Sequence, residues 1–448
     1  MVISHFNMIT RKLLHGCAFL YKYGLYCVCK RIIWGRECKP TNVTKLYLYT
    51  REVNNIAELP ILPTFGALKV IRRIKASPLI KIYLSQIWGG GAEMYLRKQL
   101  EIEEGSVVSL LIKPFEYGSG LHVEVWQGGL LIGDCLIPSL EALDSLRGKS
   151  CSITINSLVQ WHLVYGRTIS NDALHQTVDS ILRLKNVLGA SLKFLVHDYY
   201  CLCPKINLTN SNARYCGSEG NVARCTDCLR DVRSVGEMVL DGGVSVQDWR
   251  SDFSRLLGSC TEVRTFSEDT CNRISGCFGN LPLTVVPHSL TVKLNKLSSI
   301  SSDNGIVIGV FGGIGKVKGS QEVVALARYI LAIGCTDARI VVVGDLKDSG
   351  QDCPPNIKVL GSYNVSRLPE IVKRESINIG LMPSILPETF SYTTHEMIAL
   401  GLPVVCFDIG APKDVVRQYC KGAVAPDMTV ESLWRTMLEL WNKVYRAG

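Results

Sequence analysis

The sequence lacks an uninterrupted apolar run of the ~20 residues that a membrane-spanning helix needs: near the N-terminus, Lys22 breaks the stretch that holds Leu13, Leu14, Phe19, Leu20 and Tyr21. It lacks a small-residue cleavage site after that stretch, so no cleavable export signal is expected. Charge is sparse, 20% of residues against 47% hydrophobic and 8% aromatic, and this balance excludes a chain that is disordered throughout. No short repeat organises the sequence. What is present is length: 448 residues exceed a typical domain of roughly 100 to 200, so two or three compact units are expected.

The formal charge of +9 is modest but uneven, because Arg11, Lys12, Lys22, Lys30, Arg31, Arg36 and Lys39 crowd the N-terminal end. Interleaved with Phe19, Tyr21, Tyr26, Ile32, Ile33 and Trp34, they read as an amphipathic segment suited to an anionic membrane surface. A buried packing helix and a signal anchor are the alternatives. Eighteen cysteines would suggest a disulfide scaffold in a short exported chain, but here they accompany a large aliphatic content and no cleavable export signal. Reduced cytoplasmic thiols are expected instead. Cys135, Cys260, Cys335 and Cys406 stand alone in apolar surroundings and read as small buried hydrophobes.

From Ile80 onward, short apolar runs alternate with stretches of helical period, the pattern of βαβ units. One series opens with a strand at 80–85, the glycine turn at 88–91 and a helix from about Ala92. It continues through strands at 107–112, 121–126, 152–155, 192–196 and 262–266, with helices at 175–188 and 246–257. Between 290 and 305 the composition turns to serine, lysine and asparagine, which reads as a linker with little to offer a core. A second series follows: a strand at 306–311, a loop at 312–319, a helix at 321–331, and strands at 339–343, 357–360, 377–381 and 404–407. Helices are expected near 368–373, 394–399 and 431–445. The expected fold class is α/β, two Rossmann-like domains facing across a cleft. The divisions are an N-terminal extension at 1–79, a domain at 80–290 with a cysteine-rich insertion at 201–230, a linker at 291–304 and a domain at 305–448.

Ligands of open parallel sheets sit beyond the carboxyl ends of the strands, and four loops there carry unusual chemistry. The loop from Pro383 to Glu396 brings two acids, Glu388 and Glu396, to a helix entry. On one helix their spacing would span two turns, about 12 Å, with free backbone N–H groups around Phe390, Ser391 and Tyr392 suited to a diphosphate. The loop Gly312 to Gly319 offers pliable backbone at Gly313 and cations at Lys316 and Lys318. Gly89, Gly90 and Gly91 allow close backbone approach at a helix start. His197 and Asp198 place an imidazole beside a carboxylate after a strand end.

Pro387-Glu388-Thr389-Phe390-Ser391-Tyr392, the paired glutamates and Ala399-Leu400-Gly401-Leu402-Pro403-Val404-Val405 resemble retaining glycosyltransferase family 4. The resemblance covers about residues 80–448 and implies the GT-B fold, with Glu388 contacting the donor sugar and Glu396 the nucleotide ribose. Lys318-Gly319 fits the end of the family's phosphate loop, whereas Gly313 takes the place of an arginine. Either Lys316 or the Gly313 backbone would then meet the diphosphate. Trp88-Gly89-Gly90-Gly91 resembles the family's first glycine-rich loop. His197-Asp198-Tyr199-Tyr200, with Cys203-Pro204 and Asn207-Leu208, resembles a polysaccharide or O-antigen branch and implies sugar contact by His197 near the reacting carbon. The implied catalytic set is His197, Asp198 and Glu388. The donor set is Gly313, Lys316, Lys318, Phe390, Ser391, Tyr392 and Glu396.

Implied too are transfer with retention by front-face substitution, no cofactor or divalent cation in catalysis, and a nucleotide-sugar donor. The acceptor would be a growing glycan or a lipid-linked one in cell-surface polysaccharide or lipopolysaccharide assembly, at the inner face of the cell membrane. A catalytically silent nucleotide-sugar-binding or assembly-partner protein is the alternative. Nucleic-acid binding is not expected, because Glu219, Asp227 and Asp231 dilute the charge around the cysteine cluster. In that cluster Cys203, Cys216, Cys225 and Cys228 are separated by twelve, eight and two residues, which suits a closed structural zinc site. Cys201 in place of Cys203, a redox pair at Cys225 and Cys228, and metal-free packing are the other readings.

Overall fold

The computed structural model describes residues 73–446 apart from 116–119, 166–167, 211–213, 218–219, 231–233, 236–237, 291, 304 and 348–352. The amphipathic segment and most of the expected extension at 1–79 therefore lie outside the described residues. By its contacts the chain divides into two compact units. One holds the described residues up to Leu195 with Gly236–Asp241 and Asp252–Glu262; the other holds Val196–Val235, Gly242–Ser251 and Val263–Gly448. The cysteine-rich insertion, expected with the first domain, thus groups with the second unit.

In the first unit the strands run in the order Ser191–Leu195, Ser150–Ile155, Leu79–Leu84, Val107–Pro114, Leu121–Gln127, Leu130–Ile137. Leu79–Leu84 pairs in parallel on both sides, Leu79 lying opposite Val107 and opposite Ser150. The loops after Leu84 and after Ile155 consequently open at a topological switch point. Val107–Pro114 is buried along its whole length, as a strand covered on both faces must be. The last two strands pair antiparallel. Gly128 and Gly129, at φ of 56° and 76°, form the two-residue turn between them, a conformation that glycine adopts without strain.

The second unit is built on a parallel sheet in the order Ile357–Val359, Ala338–Val343, Ile306–Phe311, Ile379–Met382, Val404–Phe407, Gly422–Ala425. Alternate residues of Ile306–Phe311 feed two cores. Ile306, Ile308 and Val310 pack with Val323, Leu326 and Ile330 and with Leu433, Met437, Leu440 and Trp441 of the terminal helix Val430–Tyr445. Val307 and Phe311 pack on the other face with Val341, Val343, Leu368, Met397 and Leu400. Both faces are covered, which is why these strands read as continuous apolar runs. A mixed α/β fold of two domains with parallel sheets, the expected class, is what forms.

One sequence expectation changes. The linker joins the second core: Leu297 is buried in it, Leu294 and Ile300 pack against it, and Leu297 N–H donates to Leu400 O at 3.0 Å. Three apolar residues at intervals of three carry that docking among serines and lysines. The insertion is likewise tied down, with Tyr215 against the first core, Arg214 paired with the buried Glu322, and Arg273 over the Tyr215 ring at 5.2 Å. Among the described residues no helix is long and apolar enough to cross a membrane. Cys135, Cys260 and Cys406 are buried and Cys335 is half-buried, all as free thiols.

Candidate functional site

Ile306–Phe311 pairs with Ala338–Val343 on one side and Ile379–Met382 on the other, so the loops leaving Phe311 and Met382 diverge at the switch point of the second sheet. They are the phosphate-type loop and the glutamate loop. The first is braced by Ile314 N–H donating to Asp345 O at 2.7 Å and Lys347 N–H to Ile314 O at 2.8 Å. A single helical turn, Lys316–Lys318, then presents both lysines to solvent. Lys318 Nζ lies 4.0 Å from Glu388 Oε1, which brings the two loops together.

The glutamate loop differs from a two-turn helical ladder. Ser391 is the N-cap of the helix Tyr392–Leu400, its hydroxyl accepting from Thr394 N–H at 3.4 Å, so the helix starts after Glu388. Glu396 sits about one turn inside and Glu388 stays in the preceding loop, where its backbone carbonyl accepts from Ala411 N–H at 2.8 Å. Glu388 Oε1 and Glu396 Oε2 are both buried without a hydrogen-bond partner. Lys318 partly offsets the charge on Glu388, whereas a buried carboxylate oxygen that accepts no hydrogen bond is costly at Glu396. Burial pushes the Glu396 carboxyl up to about 7.

His197 reaches this site from the insertion side of the same unit. Thr389 Oγ1 donates to His197 O at 2.8 Å, and the His197 ring stacks on Phe266 with centroids 4.5 Å apart. Burial, then the neighbouring His288, hold His197 well below the usual histidine range, so its imidazole is neutral at physiological pH. Asp198 turns its carboxylate to Tyr200 N–H at 2.9 Å and shapes the loop that carries His197. Phe390 and Tyr392 are joined by residues the sequence reading did not assign to the site. His288 stacks on Phe390 at 4.6 Å, its Nδ1 is 2.7 Å from the Tyr392 hydroxyl, and His395 also stacks on Phe390 at 4.3 Å. Burial lowers His288 to about 3. His288 follows the strand Leu283–Val285 at its carboxyl end. Two carboxylates, exposed lysines, a helix N-terminus and neutral imidazoles thus gather beyond the carboxyl ends of the second sheet, a set able to meet a phosphorylated ligand without supplying a strong base.

Gly89, Gly90 and Gly91 lie in the first unit, at the start of the helix Gly91–Glu101. Among the described residues no group of three or more His, Cys, Asp or Glu side chains could hold a metal ion. Two sulfurs of the cysteine cluster face cations instead: Arg250 Nη2 donates to Cys225 Sγ at 3.5 Å and Lys205 Nζ to Cys228 Sγ at 3.7 Å. Burial pushes the Cys203 thiol up to about 12. Metal analysis of the purified protein is therefore expected to return well under one equivalent of zinc. One equivalent, removed by both Cys225→Ser and Cys228→Ser, would overturn that arrangement.

Residues 305–443, less than half of the chain, match the family described as glycosyl transferases group 1. The matched stretch holds Lys318, Glu388 and Glu396. The fold is similar to that of Anabaena Alr3699/HepE in complex with UDP, with a TM-score of 0.51 and 15% identity over 82% of this chain and 90% of that one. Sucrose-phosphate synthase from Thermosynechococcus elongatus is more distantly similar, with a TM-score of 0.44 and 12% identity over 81% of this chain and 89% of that one. No curated protein matches the sequence.

Proposed function

We propose that this protein transfers a sugar from a nucleotide-diphosphate donor to a glycan or lipid-linked acceptor, with retention, as a member of glycosyltransferase family 4. The observation that carries the reading is the pair of buried carboxylate oxygens on Glu388 and Glu396, neither of which accepts a hydrogen bond, flanking a helix N-terminus at the sheet's switch point. In this reading Glu396 accepts from the ribose hydroxyls and Glu388 from the donor sugar. Lys318, Lys316 and the N–H groups at Phe390 to Tyr392 meet the diphosphate. The bond from the anomeric carbon to the diphosphate oxygen breaks toward those donors. The acceptor oxygen bonds to the same face, and its proton leaves with the departing diphosphate. His197, neutral, orients a sugar hydroxyl nearby. The role in cell-surface polysaccharide or lipopolysaccharide assembly, at the inner face of the membrane, is part of the proposal and is supported by the resemblance of the His197 segment alone.

A thermal-shift screen with UDP-, GDP- and dTDP-sugars tests the reading. The Anabaena neighbour binds UDP, which makes UDP-sugars the first choice. At a hundredfold excess over Kd one nucleotide class should stabilise the protein by about 2.7 kcal/mol, and Glu388→Ala or Glu396→Ala should remove the shift. No shift with any donor would favour the silent binding protein, a reading to which Gly313, in place of the family's arginine, already lends weight.

A further inference from the structure

We propose that Gln160 is the positioning residue that sets the Trp88–Gly91 loop for ligand contact; this rests on the sugar-transfer reading above. The chain leaves the first sheet after Leu84 and after Ile155, on either side of its switch point, and the two emerging segments bind each other. Asn156 Nδ2 donates to Ser85 Oγ at 3.0 Å and to Ala92 O at 3.3 Å. Ser157 Oγ donates to Gln86 Oε1 at 3.1 Å and Trp161 Nε1 to Ser85 O at 2.9 Å. Gln160 completes the set: its Oε1 accepts from Ile87 N–H at 3.0 Å and from Trp88 N–H at 3.3 Å.

It makes these bonds from a backbone φ of 73°, the left-handed region that residues with a Cβ enter only at a cost. Strain of this kind persists where the surroundings over-determine it, and here Leu158, Val159 and Trp161 are buried on either side of a Gln160 that is itself 7% exposed. The consequence reaches the loop. The N–H groups of Ile87 and Trp88 are committed to Gln160, whereas a Cβ on Gly89 or Gly90 would meet nothing within 4 Å. The loop is fixed at its root and open at its glycines. Three consecutive glycines without that anchor would sample many backbone states, and a ligand would have to order them on binding.

The test compares Gln160→Ala with Gln160→Glu, whose carboxylate keeps an acceptor at the same reach, in the full-length protein. In Gln160→Ala, amide exchange at Ile87 and Trp88 should quicken at least tenfold. Release of nucleotide from the sugar donor that stabilises the wild type, per folded molecule, should fall at least tenfold, while the Kd for the free nucleotide stays within twofold. Gln160→Glu should restore exchange protection and turnover together. A Gln160→Ala protein with a lower Tm but undiminished turnover, or with unchanged exchange at the two amides, would overturn the proposal. A wild type that releases nucleotide from none of the UDP-, GDP- or dTDP-sugars sinks the sugar-transfer reading, and the loop-setting role then stands or falls on the exchange at the two amides.

Discussion

Glutamine in place of Glu396 is expected to raise the melting temperature at pH 8.5 while weakening the response to nucleotide. Glu396 is 4% exposed, and burial lifts its carboxyl from the ordinary 4.5 to about 7. A carboxyl raised on folding favours the native state fully below 4.5, and that advantage is lost as pH rises through 7. The gap corresponds to about 3 kcal/mol between the two limits, an upper bound for a site that water can partly enter. Glutamine carries no charge at any pH. The variant should therefore match the wild type near pH 4 and exceed it by up to that amount above pH 8, as read by thermal melts in a pH series. Binding runs the opposite way. A carboxylate that accepts from ribose hydroxyls must be ionised, so wild-type affinity for the nucleotide should rise about tenfold between pH 6 and 8. Glutamine should flatten that profile and weaken binding by about 2 kcal/mol, roughly thirtyfold. Equal pH dependence in both proteins would remove Glu396 from the nucleotide site.

What the sequence made legible and what it hid divide along the range of the interactions. Residues 306–311 and 404–407 were readable as strands because burial on both faces demands unbroken apolar runs, and both strands form at those bounds. The hairpin partner Leu130–Ile137 was missed although Gly128–Gly129 announces it, because Leu130 and Leu131 are exposed and break the alternation. The helix Glu268–Phe278 was missed because it is largely polar. Its start is marked only by Ser267, which accepts from Thr270 N–H at 3.2 Å. Glu388 and Glu396 could be picked out because both lie in one strand-to-helix segment. His288 could not, since its contacts with Phe390 and Tyr392 join positions a hundred residues apart, and Leu297 in the linker was hidden by the polar residues around it.

Alanine at Gly319 should cost more than alanine at any other position of the phosphate-type loop, and alanine at Gly313 should cost almost nothing in stability. Gly319 has φ of 87°, and a Cβ there would stand 2.0 Å from Pro383 O and 2.7 Å from Pro383 C. Pro383 opens the glutamate loop, so the backbones of the two loops touch where no side chain fits. Relief requires moving rigid backbone rather than a flexible side chain, and with the left-handed φ the loss should be about 3 kcal/mol or more. Because the shift would be transmitted to Glu388, nucleotide-dependent stabilisation should disappear in whatever fraction folds. Gly313 has neither constraint: a Cβ there meets nothing within 4 Å and the residue is exposed. Gly313→Ala should keep the wild-type Tm within about 0.5 kcal/mol of stability. If the diphosphate lies against that backbone, the same methyl should weaken nucleotide binding at least tenfold. Unchanged binding would instead assign the missing arginine's work to Lys316, and Lys316→Ala should then carry the loss.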